Sequence, residues 1–187
     1  MAYIYQYDPG TPADDNNAIV VGYRSSSGFT QRIAQSLTAN INDVIVGLGF
    51  MMRNPNGAGG VELTFSIQTN NGSIPSGTLA NANLTGAQTA FNGTGWVWQD
   101  LVFATPGTLA AGGSIWAVCK VTTEPVGSGT SYYTNVPASD PFAGGNNAIY
   151  GDPTDGAWAA YVLTDTQFRV DGTLAVVGGL NLTSKMW

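Results

Sequence analysis

Residues 61–69 show the clearest alternation: Val61, Leu63, Phe65 and Ile67 are apolar and point one way, and Glu62, Thr64, Ser66 and Gln68 are polar and point the other. Side chains of an extended chain point to opposite faces in turn, so this spacing predicts a strand with one face packed and one wet. A helix would scatter the same apolar residues around its circumference. Comparable segments recur along the chain. In residues 43–53, Val44, Val46, Leu48, Phe50 and Met52 fall on one face, with Ile45, Gly47, Gly49 and Met51 on the other. That strand is expected to be buried on both sides. Residues 96–104 follow the same logic, as do residues 114–122, where Ile115, Ala117, Cys119 and Val121 alternate with Ser114, Trp116, Val118 and Lys120. Strands are also expected over 18–23, 29–38, 130–135, 148–151, 157–163 and 166–173. In residues 29–38, Phe29, Ile33 and Leu37 fit either period, and the segment is read as a strand.

Turn chemistry separates these runs. Asn54-Pro55-Asn56-Gly57 and Asn70-Asn71-Gly72 supply residues that tolerate tight reversals, and Thr105-Pro106-Gly107 and Ala111-Gly112-Gly113 punctuate the approach to residues 114–122. No segment combines a helical period with a cap. Many short strands at this spacing predict an all-β fold, a jelly-roll-like antiparallel β-sandwich. The sandwich is expected over residues 18–173, between an N-terminal arm (1–17) and an apolar C-terminal tail (174–187). Gly86, Gly93 and Gly95 read as loop glycines with no phosphate-loop signature.

Only 10% of the 187 residues are charged, against about a quarter in an ordinary globular domain. Solubility then rests on Asn, Thr, Ser and Gln. A surface poor in long charged side chains loses less entropy when it packs against neighbours. The net charge is −6, and the cations Arg24, Arg32, Arg53, Lys120, Arg169 and Lys185 are scattered, so no nucleic-acid partner is expected. No apolar run approaches a membrane span, so no membrane partner is expected either.

The chain has no histidine, which excludes imidazole acid–base and metal chemistry. Its one cysteine, Cys119, lies in an apolar run and is expected to be a buried, inert thiol. Glycoside hydrolysis needs two carboxylates flanking a bond. The two glutamates, Glu62 and Glu124, are far apart in sequence, and nothing pairs them. No catalytic residue and no enzymatic activity are expected. Oxygen-rich stretches at Asp8, Asp14 and Asp15 and at Asp152 and Asp155 are weak candidates for a structural calcium site; both also read as ordinary Asx/Pro/Gly turns. No other cofactor is expected.

Aromatic residues are the best binding candidates. Trp96 and Trp98 share one face of their strand; Trp98 and Trp116 are expected in the core, where large aromatics belong. Tyr132, Tyr133, Tyr150 and Trp158 lie among Gly/Ser/Asn loops, are expected to be accessible, and are candidates for stacking on sugar rings or for closing hydrophobic lids. Tyr3, Tyr5 and Tyr7 near the start, and Leu180, Leu182, Met186 and Trp187 near the end, are candidates for assembly contacts, because apolar terminal segments generally dock on their own domain or on a neighbour.

Ile33-Ala34-Gln35-Ser36-Leu37-Thr38 leads into Val44-Ile45-Val46-Gly47-Leu48-Gly49-Phe50. Ser73-Ile74-Pro75-Ser76-Gly77-Thr78-Leu79-Ala80, a tryptophan strand and Leu109-Ala110-Ala111-Gly112-Gly113-Ser114-Ile115-Trp116-Ala117-Val118 follow. Over roughly residues 30–122 this order resembles the choice-of-anchor β-sandwich domains of exported bacterial proteins. Similar sandwiches resemble carbohydrate-binding jelly rolls and occur in phage structural proteins. The resemblance implies a sandwich fold and carries no catalytic residue. Residues 1–10 show neither the basic nor the apolar region of a secretory leader. A body of extracellular character without a leader leads to the expectation of a phage virion structural protein, such as a capsid decoration or accessory protein or a head–tail component. Such a protein is assembled in the host cytoplasm and has other virion proteins and copies of itself as partners. The alternative is a carbohydrate-binding or adhesin-type module that meets a surface glycan, on a virion or outside the cell.

Overall fold

The computed structural model describes residues 3–8, 10, 18–24, 29–54, 62–89, 94–122, 131–135, 148–151, 158–160 and 165–175. These residues form thirteen strands and no helix: β1 (Tyr3–Tyr7), β2 (Ala18–Arg24), β3 (Phe29–Ala39), β4 (Val44–Arg53), β5 (Glu62–Asn71), β6 (Ile74–Leu79), β7 (Thr85–Thr89), β8 (Val97–Thr108), β9 (Gly113–Val121), β10 (Ser131–Asn135), β11 (Ala148–Gly151), β12 (Trp158–Ala160) and β13 (Phe168–Thr173). They build two antiparallel sheets packed face to face, the expected β-sandwich. In the first sheet, β4 is central, with β13 and then β1 on one side and β8 on the other; β10 pairs with the end of β4 and with β2. In the second sheet the order is β12, β11, β3, β9, β5, with β7 and β6 sharing the far side of β5. The long strand β3 joins the two: residues 29–31 pair with β2 and residues 32–39 with β9.

The core lies between the sheets. The first sheet contributes Ile45, Leu48, Phe50, Met52, Phe103, Phe168 and Val170, and the second contributes Ile33, Leu37, Leu63, Phe65, Ile67, Ile115 and Ala117. Phe50 and Phe65 meet across the interface with ring centroids 6.2 Å apart. Cys119 is fully buried there, and burial pushes its thiol pKa up. Trp116 is buried too, but on the other side of the second sheet, with Ala34 and Val118 under the partly buried Ile74 and Trp158. Its indole Nε1 donates to Asn70 Oδ1 at 2.9 Å, which satisfies the one polar atom of the ring.

Four expectations need correction. Strict alternation would bury Val44 and Val46 with Leu48, yet Ile45 is the residue in the core. A bulge explains this: Gly47 pairs with Asp171 and Ile45 with Gly172, so Val46 is the extra residue on β4 and the inward face changes parity there. Residues 3–7, expected within an arm, form edge strand β1 of the first sheet. Gly86 lies in a strand rather than a loop, opposite Phe65 of β5. A Cβ on Gly86 would stand 2.7 Å from Leu101 Cδ2, so the absent side chain gives Leu101 its space. Trp98 lies outside the core, as described below.

The β5–β6 hairpin turns through Gly72 and Ser73, both at positive φ (59° and 76°), the two-residue geometry that matches strand twist. The β3–β4 turn is held by Asp43. Its fully buried carboxylate accepts from the backbone NH of Asn40 (2.9 Å), the backbone NH of Ala175 (2.8 Å) and the Tyr5 hydroxyl. One side chain thus ties together β1, the turn and the segment after β13. Burial alone would raise the Asp43 pKa, but the hydrogen bonds from Tyr5, Ala175 and Asn40 outweigh it and hold it below the usual carboxylate value. The Tyr5 hydroxyl is pushed up to about 12 by burial and by the Asp43 carboxylate that it serves.

Candidate binding face

The outer face of the first sheet collects the chemistry. Because Leu48, Phe50 and Met52 point into the core, Gly47, Gly49 and Met51 of β4 point away from it. Register places partners on both sides. Gly49 lies between Asp100 of β8 and Arg169 of β13, Gly47 between Val102 and Asp171, and Met51 beside Trp98. On the edge, Gln6 and Tyr3 of β1 stand opposite Arg169 and Asp171.

The outward positions of the two glycines are filled by their neighbours. A Cβ on Gly49 would stand 2.0 Å from Asp100 Oδ1, and one on Gly47 would stand 2.8 Å from the Leu101 carbonyl oxygen and 3.4 Å from Asp171 Oδ2. Arg169 reaches over Gly49 to Asp100. Its Nε donates to Oδ1 at 2.7 Å, and its Nη2 donates to Oδ2 in the same two-pronged pairing. The guanidinium also lies 4.2 Å from the Trp98 ring centroid and 4.8 Å from that of Tyr3. Burial would lower the Arg169 pKa, but the Asp100 hydrogen bond and charge more than offset this and raise it.

Asp171 completes the group and is 9% exposed. Its Oδ1 is buried without a hydrogen-bond partner. Its pKa is raised first by burial and then by the Asp100 charge, with Arg169 pulling the other way. Further along the same face, Arg53 lies 5.7 Å from the Trp96 ring centroid.

Trp96 lies just before β8 and Trp98 on its outer surface, half-buried under Arg169 rather than in the core. The sequence signal was present as Trp98-x-Asp100 on one strand and Gly47-x-Gly49 on another; only their register shows that they meet. Tyr132 and Tyr133 lie in β10, Tyr150 in β11 and Trp158 in β12. The structure does not gather these four at one place: Tyr133 is in register with Arg53 on the first sheet, whereas Trp158 belongs to the second. Trp158 is half-buried, with the Arg32 guanidinium 4.0 Å from its ring centroid. Among the assembly candidates, Tyr5 and Tyr7 pack against the main core and Tyr3 is 45% exposed. Leu180, Leu182, Met186 and Trp187 lie outside the described residues, as do Asp14, Asp15, Asp152 and Asp155. Asp8 accepts from the Gly10 backbone NH (3.1 Å) and from Gln167 Nε2 (3.3 Å), in a turn at the surface. Among the described residues no three Asp, Glu, Cys or His side chains group as metal ligands, and no helix is long and apolar enough to cross a membrane.

No protein-family model, curated protein or solved structure matches this chain.

Proposed function

We propose that the protein is a non-enzymatic phage virion structural subunit, a capsid decoration or accessory protein or a head–tail component, that acts through contacts with copies of itself and with neighbouring proteins. One observation carries this reading. Each arginine whose side chain is described (Arg32, Arg53 and Arg169) lies over an aromatic ring. In a chain with 10% charged residues, this leaves few mobile cations to keep protein surfaces apart. Exposed Tyr3 on edge strand β1 and exposed Val97 and Val102 on β8 add apolar area to the rims of the first sheet. Closed symmetric assembly is the common way to cover such surfaces. Light scattering on the purified chain tests the reading. A defined oligomer is expected, and a chain cut after Ala175 should melt like the full chain while assembling less well. A strict monomer at high concentration that also fails to bind purified particles refutes it.

A second reading, a carbohydrate-binding or adhesin-type module, is favoured by a different observation. Trp96, Trp98 and Tyr3 share the outer face of one sheet with Asp100 and Asp171. Aromatic rings beside hydrogen-bonding acceptors on one sheet face suit sugar rings.

A further inference from the structure

We propose that Asn71 is a site of spontaneous covalent modification, where the side-chain amide gives way to aspartate or isoaspartate through a cyclic imide with the backbone of Gly72. The reaction needs no partner and stands apart from the assembly reading.

Three features single out this residue. The first is its neighbour. Gly72 has no Cβ to block the approach of its nitrogen to the Asn71 side chain. Asn56-Gly57 and Asn92-Gly93 share that order and lie outside the described residues. The second is the freedom of the side chain. Asn71 and Gly72 are exposed, and no hydrogen bond among the described residues holds the Asn71 carboxamide. By contrast, Asn70 accepts from the Trp116 indole, Asn81 donates to the Thr108 carbonyl and Asn83 to the Pro106 carbonyl. The third is the hairpin. β5 runs past its last pair with β9, Thr69 with Ile115, so Asn70 and Asn71 have only β6 beside them among the described strands. The pairs Asn70–Pro75 and Asn71–Ile74 alone separate the turn from an irregularity in which Thr69 faces Ser76, Gly77 and Thr78. The turn itself holds Ser73 at a φ of 76°, in the left-handed region that favours glycine. Ring closure needs rotation about the Asn71 Cα–C bond out of the extended conformation, which opens the Asn71–Ile74 pair. A short ladder that ends in a strained, exposed turn opens locally at little cost.

The atoms balance with water as the co-reactant. Solvent hydroxide removes the Gly72 amide proton, and the nitrogen attacks Asn71 Cγ. A new C–N bond forms, the bond from Cγ to the side-chain nitrogen breaks, and that nitrogen leaves as ammonia with a proton from water. A second water opens the five-membered imide at either carbonyl. One direction leaves aspartate; the other routes the main chain through Cγ and leaves isoaspartate. Nothing is oxidised or reduced. Either product adds a negative charge at the hairpin tip, and isoaspartate adds a backbone carbon that the two-residue turn has no room for.

The test is ageing of the folded full chain at physiological temperature, in mildly acidic and in mildly alkaline buffer. Digestion and mass spectrometry with electron-transfer fragmentation then separate aspartate from isoaspartate. Asn71 should exchange its amide mass for that of the acid, as a mixture of both isomers and faster in the alkaline buffer, while Asn81 and Asn83 keep their amides. Gly72→Ala should slow the loss. If Gly72→Ala does not fold, Asn71→Gln carries the test: it keeps the glycine of the turn, would need a six-membered ring, and should stay unmodified. An Asn71 amide that lasts as long as those of Asn81 and Asn83 overturns the proposal. Aspartate without isoaspartate overturns it too, because direct hydrolysis would then be the route.

Discussion

Replacing Asp43 with asparagine removes the knot that joins the two ends of the described chain to the β3–β4 turn. The carboxylate is fully buried and accepts from Asn40 NH, Ala175 NH and the Tyr5 hydroxyl. An asparagine in the same rotamer keeps one acceptor oxygen. Placed where Oδ2 was, that oxygen serves Asn40 and Tyr5, and its amide nitrogen then faces the Ala175 NH, donor against donor. One buried donor is left unpaired, at about 1–3 kcal/mol, and the other two bonds lose their charged acceptor, so a total loss of about 3 kcal/mol is expected. For a domain of this size that lowers the Tm by about 6–12 °C. The pH dependence identifies the cause. The folded pKa of Asp43 is held below its unfolded value of about 3.9. Its contribution is therefore fully present above the unfolded value and is lost as pH falls through the folded value. Urea unfolding followed by tryptophan fluorescence, from neutral pH down to about pH 2, should show a gap between wild type and Asp43→Asn that is widest at neutral pH and narrows in acid. A gap below about 0.5 kcal/mol, or one that does not change with pH, would refute the role assigned to the carboxylate.

Other expectations follow from the same geometry. Gly49→Ala places a Cβ on Asp100 Oδ1 and should destabilise by about 1–3 kcal/mol, whereas Gly95→Ala, with nothing within 4 Å, should stay within about 0.5 kcal/mol; thermal melts compare the two. Asp171→Asn removes a carboxylate whose folded pKa is raised, so the ionised form opposes folding. The variant should be equal to or more stable than wild type at pH 7, with the difference fading as pH falls through the raised folded value and gone below the unfolded one; a clear loss of stability at pH 7 would contradict this. Phe65→Ala empties a fully buried ring site facing Phe50 and should cost about 3–5 kcal/mol in denaturant unfolding. The Cys119 thiol should fail to react with a thiol reagent in the native protein and react stoichiometrically in denaturant.

The β-strands that bury one face were legible because period two survives in them. Leu63, Phe65 and Ile67 sit in the core as their alternation requires, and so do Ile115, Ala117 and Cys119. Alternation fails where the ladder slips: the extra residue Val46 is invisible in sequence, because a bulge is a property of two strands. Strand β1 was hidden for a related reason. Tyr-Ile-Tyr-Gln-Tyr carries bulky residues at every position but one, and only pairing with β13 separates Tyr5 and Tyr7, against the core, from exposed Tyr3 and Gln6. The candidate binding face was the least legible part. Trp98 looked like core because it is large and apolar, whereas an arginine seventy-one positions later covers its ring. The aromatics at 132, 133, 150 and 158 were read as lying among loops, yet they stand in β10, β11 and β12, and sequence could not tell that these belong to different sheets.

Protein mass spectrometry of phage particles, purified from a host in which this gene is expressed, tests the central proposal most directly. The account predicts peptides of this chain in particles that have been banded and washed, at a stoichiometry that matches a symmetric position in the virion. Its absence from intact particles, with the protein recovered instead from the cell envelope or the medium, would contradict a virion role.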